Sequence, residues 1–293
     1  STHSLHRRQR QMCIRDSLLD RSYKLLTDNE ATPDIAVHEV RKYSKKLRAL
    51  LHLLSPGMTR KAYRQNDHAL RDFARQLNGT RDSATLLASL NHVRQHYKPF
   101  LDDSATAPVC EELIRRHETA MRQHQETIDI ARIEDQLQHI ATRLGELDQF
   151  DFSLDTLLAS VEKSYAQGRR CLNALRKSAA TDKRNEFRKR ARTLWHQLRL
   201  MNQWNPELLS PLIGELGELC ERLGKDNDLA GLVDILPSIE TASENPVRID
   251  LLDSLTESRR CDLLEQSLRL GDTIYLRKTG EFMDWFKAIK VEH

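Results

Sequence analysis

Glycine and proline are scarce in this chain, ten and eight among 293 residues. An all-β sandwich or barrel needs turn residues every 8–12 positions, and they are not there. Aromatic residues make up only 5%, so no base-stacking platform is evident. No apolar run is long enough to span a bilayer, and Ser1–Ser17 is polar and basic, without the apolar stretch of a signal peptide. The five cysteines are odd in number, widely spaced and never in C-x-x-C, which reads as reduced thiols in a cytoplasmic protein. Catalytic and ligand motifs are equally thin. Gly217…Gly224-Lys225 has six residues between its glycines where a phosphate loop has four, and Asp226 stands in place of the magnesium-holding Ser or Thr. That segment reads as a helix end. His92 and His96 are four apart, but no third metal ligand is obvious. Asp226 and Asp228 could hold a cation, but read better as caps at a helix start. The expectation is a protein that is not an enzyme, with no metal and no cofactor.

What the chain does have is helical periodicity almost throughout. Residues 1–17 read as a leader outside the fold, disordered or artefactual, because Met12-Cys13-Ile14-Arg15-Asp16-Ser17 resembles a translated sequencing adapter. Helices are expected over about 18–26, then from Thr32-Pro33-Asp34 (cap, first position, first turn) to Leu54. Others follow at about 59–77, 81–97, 109–132, 134–147, 153–177, near 248–270 and 278–290. The breaks are expected at Ser55-Pro56-Gly57, Asn78-Gly79, Asp102–Pro108, Asp148–Phe152, Ala179–Lys183 and Gly224.

The segment from Val37 to Leu54 carries two stripes at helical spacing. His38, Arg41, Lys45, Arg48 and His52 make a basic one, and Val37, Val40, Ser44, Leu47, Leu51 and Leu54 a mostly apolar one. Burying the second displays the first as a fixed row. Net charge is only +3, but it is unevenly placed: residues 37–54 carry +4, residues 183–199 carry +6, and the remainder carries −7. Concentrated positive charge in two segments is the pattern of a local anion site.

These two segments belong to a repeat. Asn185-Glu186-Phe187-Arg188-Lys189 lies over His38-Glu39-Val40-Arg41-Lys42 at an offset of 147, with Arg192 on Lys45 and Leu194 on Leu47. Leu223-Gly224…Asp228 then lies over Leu77-Asn78…Asp82 at 146, with Leu232 and Leu236 on Leu86 and Leu90. Two segments recurring in order point to an internal duplication.

Over roughly residues 18–290 the ordered set His38, Arg41, Lys45, Lys46, Leu47, Arg48 and Leu51, then Leu77…Arg81-Asp82…Leu86, then Arg188, Lys189, Arg192 and Leu194 resembles the CHAD family, the conserved histidine α-helical domain. The second repeat departs from it: Asn185 stands in place of the histidine, Trp195 where Arg is usual and His196 where Tyr is usual. The resemblance implies an all-α fold of two pseudo-symmetric antiparallel four-helix bundles, about 18–147 and about 153–290. It further implies non-catalytic binding of inorganic polyphosphate on a shared basic surface, and docking onto polyphosphate granules. The E-x-E-x-K signature of the CYTH domain found in many relatives does not occur in this chain.

Polyphosphate is a flexible line of negative charge, so it needs a row of cations and not a pocket. At about 1.5 Å per residue, His38 to Arg48 spans roughly 15 Å with a cation at nearly every turn. Arg41, Lys45 and Arg48 form the centre of the first row, with Lys42 and Lys46 at its rim. Arg188 and Arg192 form the core of the second, with Lys189 and Arg184 peripheral. His38 would add affinity below about pH 6.5, or else orient its neighbours near the helix start. Arg81 adds a cation or pairs with Asp82. Trp195 and Trp204 lie near an apolar stripe and read as core. The alternative partner for the same face is nucleic acid; no membrane partner is expected.

Overall fold

The computed structural model describes residues 15–25, 33–77, 81–101, 103–127, 129–150, 152–240 and 249–288. Every regular element among them is helical. In chain order these are α1 (15–25), α2 (Pro33–Leu54), α3 (Arg60–Gln76), α4 (Arg81–His96), α5 (Asp103–Thr127), α6 (Ile130–Gly145), α7 (Leu154–Lys177), α8 (Thr181–Met201), α9 (Pro206–Glu240), α10 (Ile249–Ile274) and α11 (Thr279–Ala288). Short 3-10 turns close α2, α6 and α8. No described helix is long and apolar enough to cross a membrane.

Local chemistry sets several boundaries where expected. The Thr59 hydroxyl accepts from Ala62 N–H and starts α3, and Ser153 does the same for α7 through Thr156. Ser55-Pro56-Gly57 ends α2. Thr32 and Asn78-Gly79 lie outside the described residues.

Several boundaries differ, among them the junction of α5 and α6, which falls at 127–130 instead of 132–134. Residues 15–17 are part of α1, not a leader, and buried Arg15 donates to Leu144 carbonyl at 2.9 Å and Asp148 at 2.7 Å. Helix α5 begins before Pro108 instead of after it. Most informative, α9 runs unbroken through Gly224 for 35 residues. Its N-terminal half buries Leu209, Leu216, Leu219 and Leu223 in one core, and its C-terminal half buries Leu229, Leu232 and Leu236 in a second. Continuity between two apolar seats outweighs the roughly 1 kcal/mol cost of a mid-helix glycine.

The main core joins α1, α2, α3, α6, α7 and α8 with the ends of α9, α10 and α11. The second joins α4 and α5 with the rest of α9 and α10. Each half of the chain thus contributes to both. In α7, a Cβ on Gly168 would lie 2.3 Å from the Tyr275 hydroxyl, so glycine is what lets that ring seat against Tyr165 and Phe187. The four described cysteines are unpaired.

Candidate anion site between α2 and α8

The apolar stripe of α2 is buried throughout: Val37, Val40, Ser44, Leu47, Leu51 and Leu54. Its complement must then lie on the outer side, and Arg41, Lys45, Lys46 and Arg48 are indeed half-buried. Helix α8 repeats this arrangement, with Phe187, Ala191, Leu194 and Leu198 fully buried and Arg188 and Arg192 half-buried. The two helices pack directly against each other.

Their meeting point brings together Lys45 and Lys46 from α2 with Arg192, His196 and Arg199 from α8. Burial, then Arg192, Arg199, Lys45 and Lys46, push the His196 pKa down to about 4. Lys46 is also lowered, by burial and then by Arg199 and Arg21 of α1. A shallow pocket of about 170 Å³ opens there among Lys46, Ala49, His196, Arg199 and Leu200. Lys46 lies 5.0 Å from the centre of the Tyr43 ring and Arg199 4.6 Å from that of Trp195. These ring faces steady the cations without neutralising them. Trp195 and Trp204 pack on the main core.

The other sequence-predicted cations are placed differently. Arg48 turns to α3, donating from Nε and Nη2 to Asp67 at 3.0 and 2.8 Å. Lys42 pairs with Glu39 and Lys189 approaches Glu186 at 3.9 Å. Arg188 is braced by Asn185, whose Oδ1 accepts from Nε and Nη2 at 3.1 and 2.9 Å. Arg184 is not a surface cation at all: it is buried against Asp226 at 2.7 Å. Asp226 and Asp228 are not at a helix start, because α9 is continuous there. The side chains of His38 and Arg81 lie outside the described residues. His52 does not extend the basic row as a cation. Burial lowers its pKa, as do Arg48, Arg190 and Lys163, against the opposing pull of Asp67. Tyr63, held to a pKa of about 12 mainly by burial, shares a hydrogen bond of 2.8 Å between its hydroxyl and His52 Nδ1.

Sequence reasoning missed Arg199 and the use of His196. The signal was present: 188, 192, 195 and 199 continue one helical stripe at spacings of four, three and four. Away from this site, His92 and His96 stack at 6.4 Å, and His92 Nε2 accepts from Arg259.

The depressed pKa of His196 has a pH signature. Unfolded, the ring takes its proton near pH 6.5; folded, it does so only near 4. Its contribution to stability is therefore complete above 6.5 and is lost as pH falls toward 4, on the order of 3 kcal/mol across the window. Urea midpoints between pH 7 and 4 are expected to fall less steeply in His196→Gln than in the wild type, and a ring NMR titration should place the midpoint near 4. Matching slopes would place the ring in an ordinary solvated setting.

Comparison with known proteins agrees with this architecture. The CHAD domain family model matches residues 17–237. The crystal structure of the CHAD domain from the plant Ricinus communis superposes with a TM-score of 0.56 at 15% identity, covering 98% of this chain and 92% of that one. At that identity the likeness speaks for the fold. No curated protein matches the chain.

Proposed function

The chain belongs to the CHAD family, and from that premise we propose that it binds inorganic polyphosphate, without acting on it chemically, along the surface where α2 meets α8. The observation that carries this reading is the meeting of Lys45 and Lys46 with Arg192 and Arg199 around His196, a histidine whose pKa burial and then these cations depress. Like charges gathered in this way repel one another in the free protein, and a line of phosphates would relieve that repulsion. Arginine supplies a planar fork of donors and lysine a compact charge, both suited to phosphate oxygens. Arg41 and Arg188, one turn before Lys45 and Arg192, extend the two rows; Lys42 and Lys189 serve as rim contacts.

The finer reading of the fold is two pseudo-symmetric repeats, divided between about residues 147 and 153. Supporting it, an offset of about 147 carries α2 onto α8, α5 onto α10 and α6 onto α11, while α3 and α4 together fall on the single helix α9. Under this reading each phosphate row comes from the same helix of its repeat. Docking onto polyphosphate granules in the cytoplasm is the physiological setting that fits such a module.

A binding isotherm with long polyphosphate over a salt series tests the proposal. Four phosphates engaged would weaken binding by about fifty-fold between 50 and 200 mM salt, on the single-strand slope of about −0.7 per phosphate. A flat salt response would remove the proposal. Displacement of polyphosphate by nucleic acid at equal phosphate concentration would hand the site to nucleic acid instead.

A further inference from the structure

A second basic surface lies beyond the end of the α2 row, and it uses none of the cations assigned to polyphosphate. A cleft of about 570 Å³ opens among the 3-10 turn after α2, the first turns of α3, the middle of α7 and the inner side of α8. Small-molecule sites typically run about 300–1,000 Å³. Its charged lining is Arg60 and Arg64 from α3, Lys163 from α7 and Arg190 from α8. No described aspartate or glutamate lines it. Arg190 shares Glu186 and donates to Gln167 at 3.0 Å. Arg60, Arg64 and Lys163 are exposed and make no ion pair with any described residue. About three positive charges therefore face one concavity without compensation.

The floor of the cleft adds an independent observation. Gln197 is 1% exposed. Its Nε2 donates to Ser160 Oγ at 3.0 Å, and Ser160 in turn donates to the His52 carbonyl at 2.8 Å. Its Oε1 is buried with no partner among the described residues. A buried amide atom left unpaired costs about 1–3 kcal/mol. Ser160 has a single hydroxyl proton and gives it to the His52 carbonyl, so the amide keeps this orientation and the floor is a fixed polar surface. The cleft thus sets guanidinium forks and an ammonium group over a fixed polar floor.

We propose that this cleft is a separate site for a compact condensed phosphate of about three negative charges, an inorganic oligophosphate held as a cluster and not as an extended line. Two guanidinium groups on one helix, spaced by one turn, grip adjacent phosphates from one side. Lys163 closes from the other side. The site would give the chain two modes of phosphate binding, long chains across α2 and α8 and short ones here. It stands on its own residues and does not depend on the long-chain reading.

The test is calorimetric titration of the whole chain with inorganic tripolyphosphate at low salt. The wild type should bind. Arg64→Glu with Lys163→Glu should lower the affinity at least tenfold, and the neutralising pair Arg64→Gln with Lys163→Gln at least threefold. Both positions are exposed, so helicity should be unchanged. Lys45→Glu with Arg192→Glu should keep tripolyphosphate affinity within threefold. Absence of binding by the wild type, or loss in the Lys45/Arg192 variant and not in the cleft variants, would overturn the site. ATP as competitor decides the source of the phosphates: equal or weaker binding supports a bare oligophosphate, and binding tenfold tighter than tripolyphosphate overturns that assignment. Retention of long polyphosphate by the Arg64→Glu, Lys163→Glu variant, measured alongside, reports on the α2 and α8 surface.

Discussion

Lys45→Glu combined with Arg192→Glu should weaken binding of long polyphosphate by at least about a hundredfold at 50 mM salt, with the helical circular dichroism unchanged. Each of these cations offers charge-assisted hydrogen bonds worth about 1.5–3 kcal/mol, and reversal replaces attraction by repulsion. Two such losses make at least about 3 kcal/mol, which is the hundredfold. The pair is chosen because both cations crowd His196 and neither residue is fully buried. Arg48 is a poorer choice, since its link to Asp67 would confound binding with the packing of α2 on α3. The variant should also flatten the salt dependence, because two fewer phosphates are neutralised. In the same protein His196 should titrate higher than in the wild type, because two of its four depressing cations have changed sign, while burial, Arg199 and Lys46 still hold it below 6.5. Undiminished retention, together with an unmoved His196, would place the polyphosphate surface elsewhere on the molecule.

Much of this is legible from spacing. The apolar positions of α2 recur at threes and fours, and a helix has no other way to bury them than together. Periodicity alone therefore sets the outer direction of Arg41 and Lys45. Caps at Thr59 and Ser153 are legible for a similar reason, since they act within four residues. What spacing does not supply is anything decided between distant elements. Asp226 reads as a cap because Gly224 precedes it, yet its partners lie 42 and 34 residues away. The continuity of α9 depends on two cores that exist only once α4, α5 and α10 have assembled. Arg48 joins the row by periodicity and is drawn to Asp67 by tertiary packing. His52 shares the stripe but not its charge, because its burial and two of the cations that depress it, Arg190 and Lys163, come from other helices.

The cations at the α2 and α8 surface also differ in what restrains them. Asn185, standing where the family resemblance implies a histidine, holds Arg188 by two hydrogen bonds. A neutral brace keeps the guanidinium in place without competing for its charge. Arg190, one position beyond Lys189, is instead tied to Glu186 and faces the cleft. The same helix therefore presents differently tempered arginines to two sides, which is the physical basis for separating an extended site from a compact one.

Asp226→Ala should cost about 3–5 kcal/mol, the largest stability loss expected from any single substitution discussed. Asp226 is 2% exposed and receives Arg184 at 2.7 Å and Arg260 at 3.3 Å, both themselves buried. Taking the carboxylate away leaves two guanidinium groups in a low-dielectric setting, Arg184 stripped of its carboxylate and Arg260 left with Glu257. At about 2–4 °C per kcal/mol for a chain of this size, the melting temperature should fall by roughly 10 °C. Glu221→Ala, which removes only the surface partner of Lys225, should cost under about 1 kcal/mol and serves as the control. The network has a second task. Helix α8 begins without a side-chain cap, and its first turn is held by Arg184 on the Ala179 carbonyl at 2.8 Å and by Arg260 on Thr181 at 3.2 Å. Freed from Asp226, both arginines lose the anchor that keeps them on those groups. The first turn of α8 should then fray, seen as faster amide exchange, and the order should decay toward Arg188, so polyphosphate affinity falls although no binding cation has been changed. A double-mutant cycle with Arg184→Ala separates the direct pairing from this fraying. If Asp226→Ala melts within about 2 °C of the wild type, under 1 kcal/mol on the same scale, the ion pair is not what anchors α8, and the position of the second cationic row must be set by the apolar packing of Phe187, Ala191 and Leu194 alone.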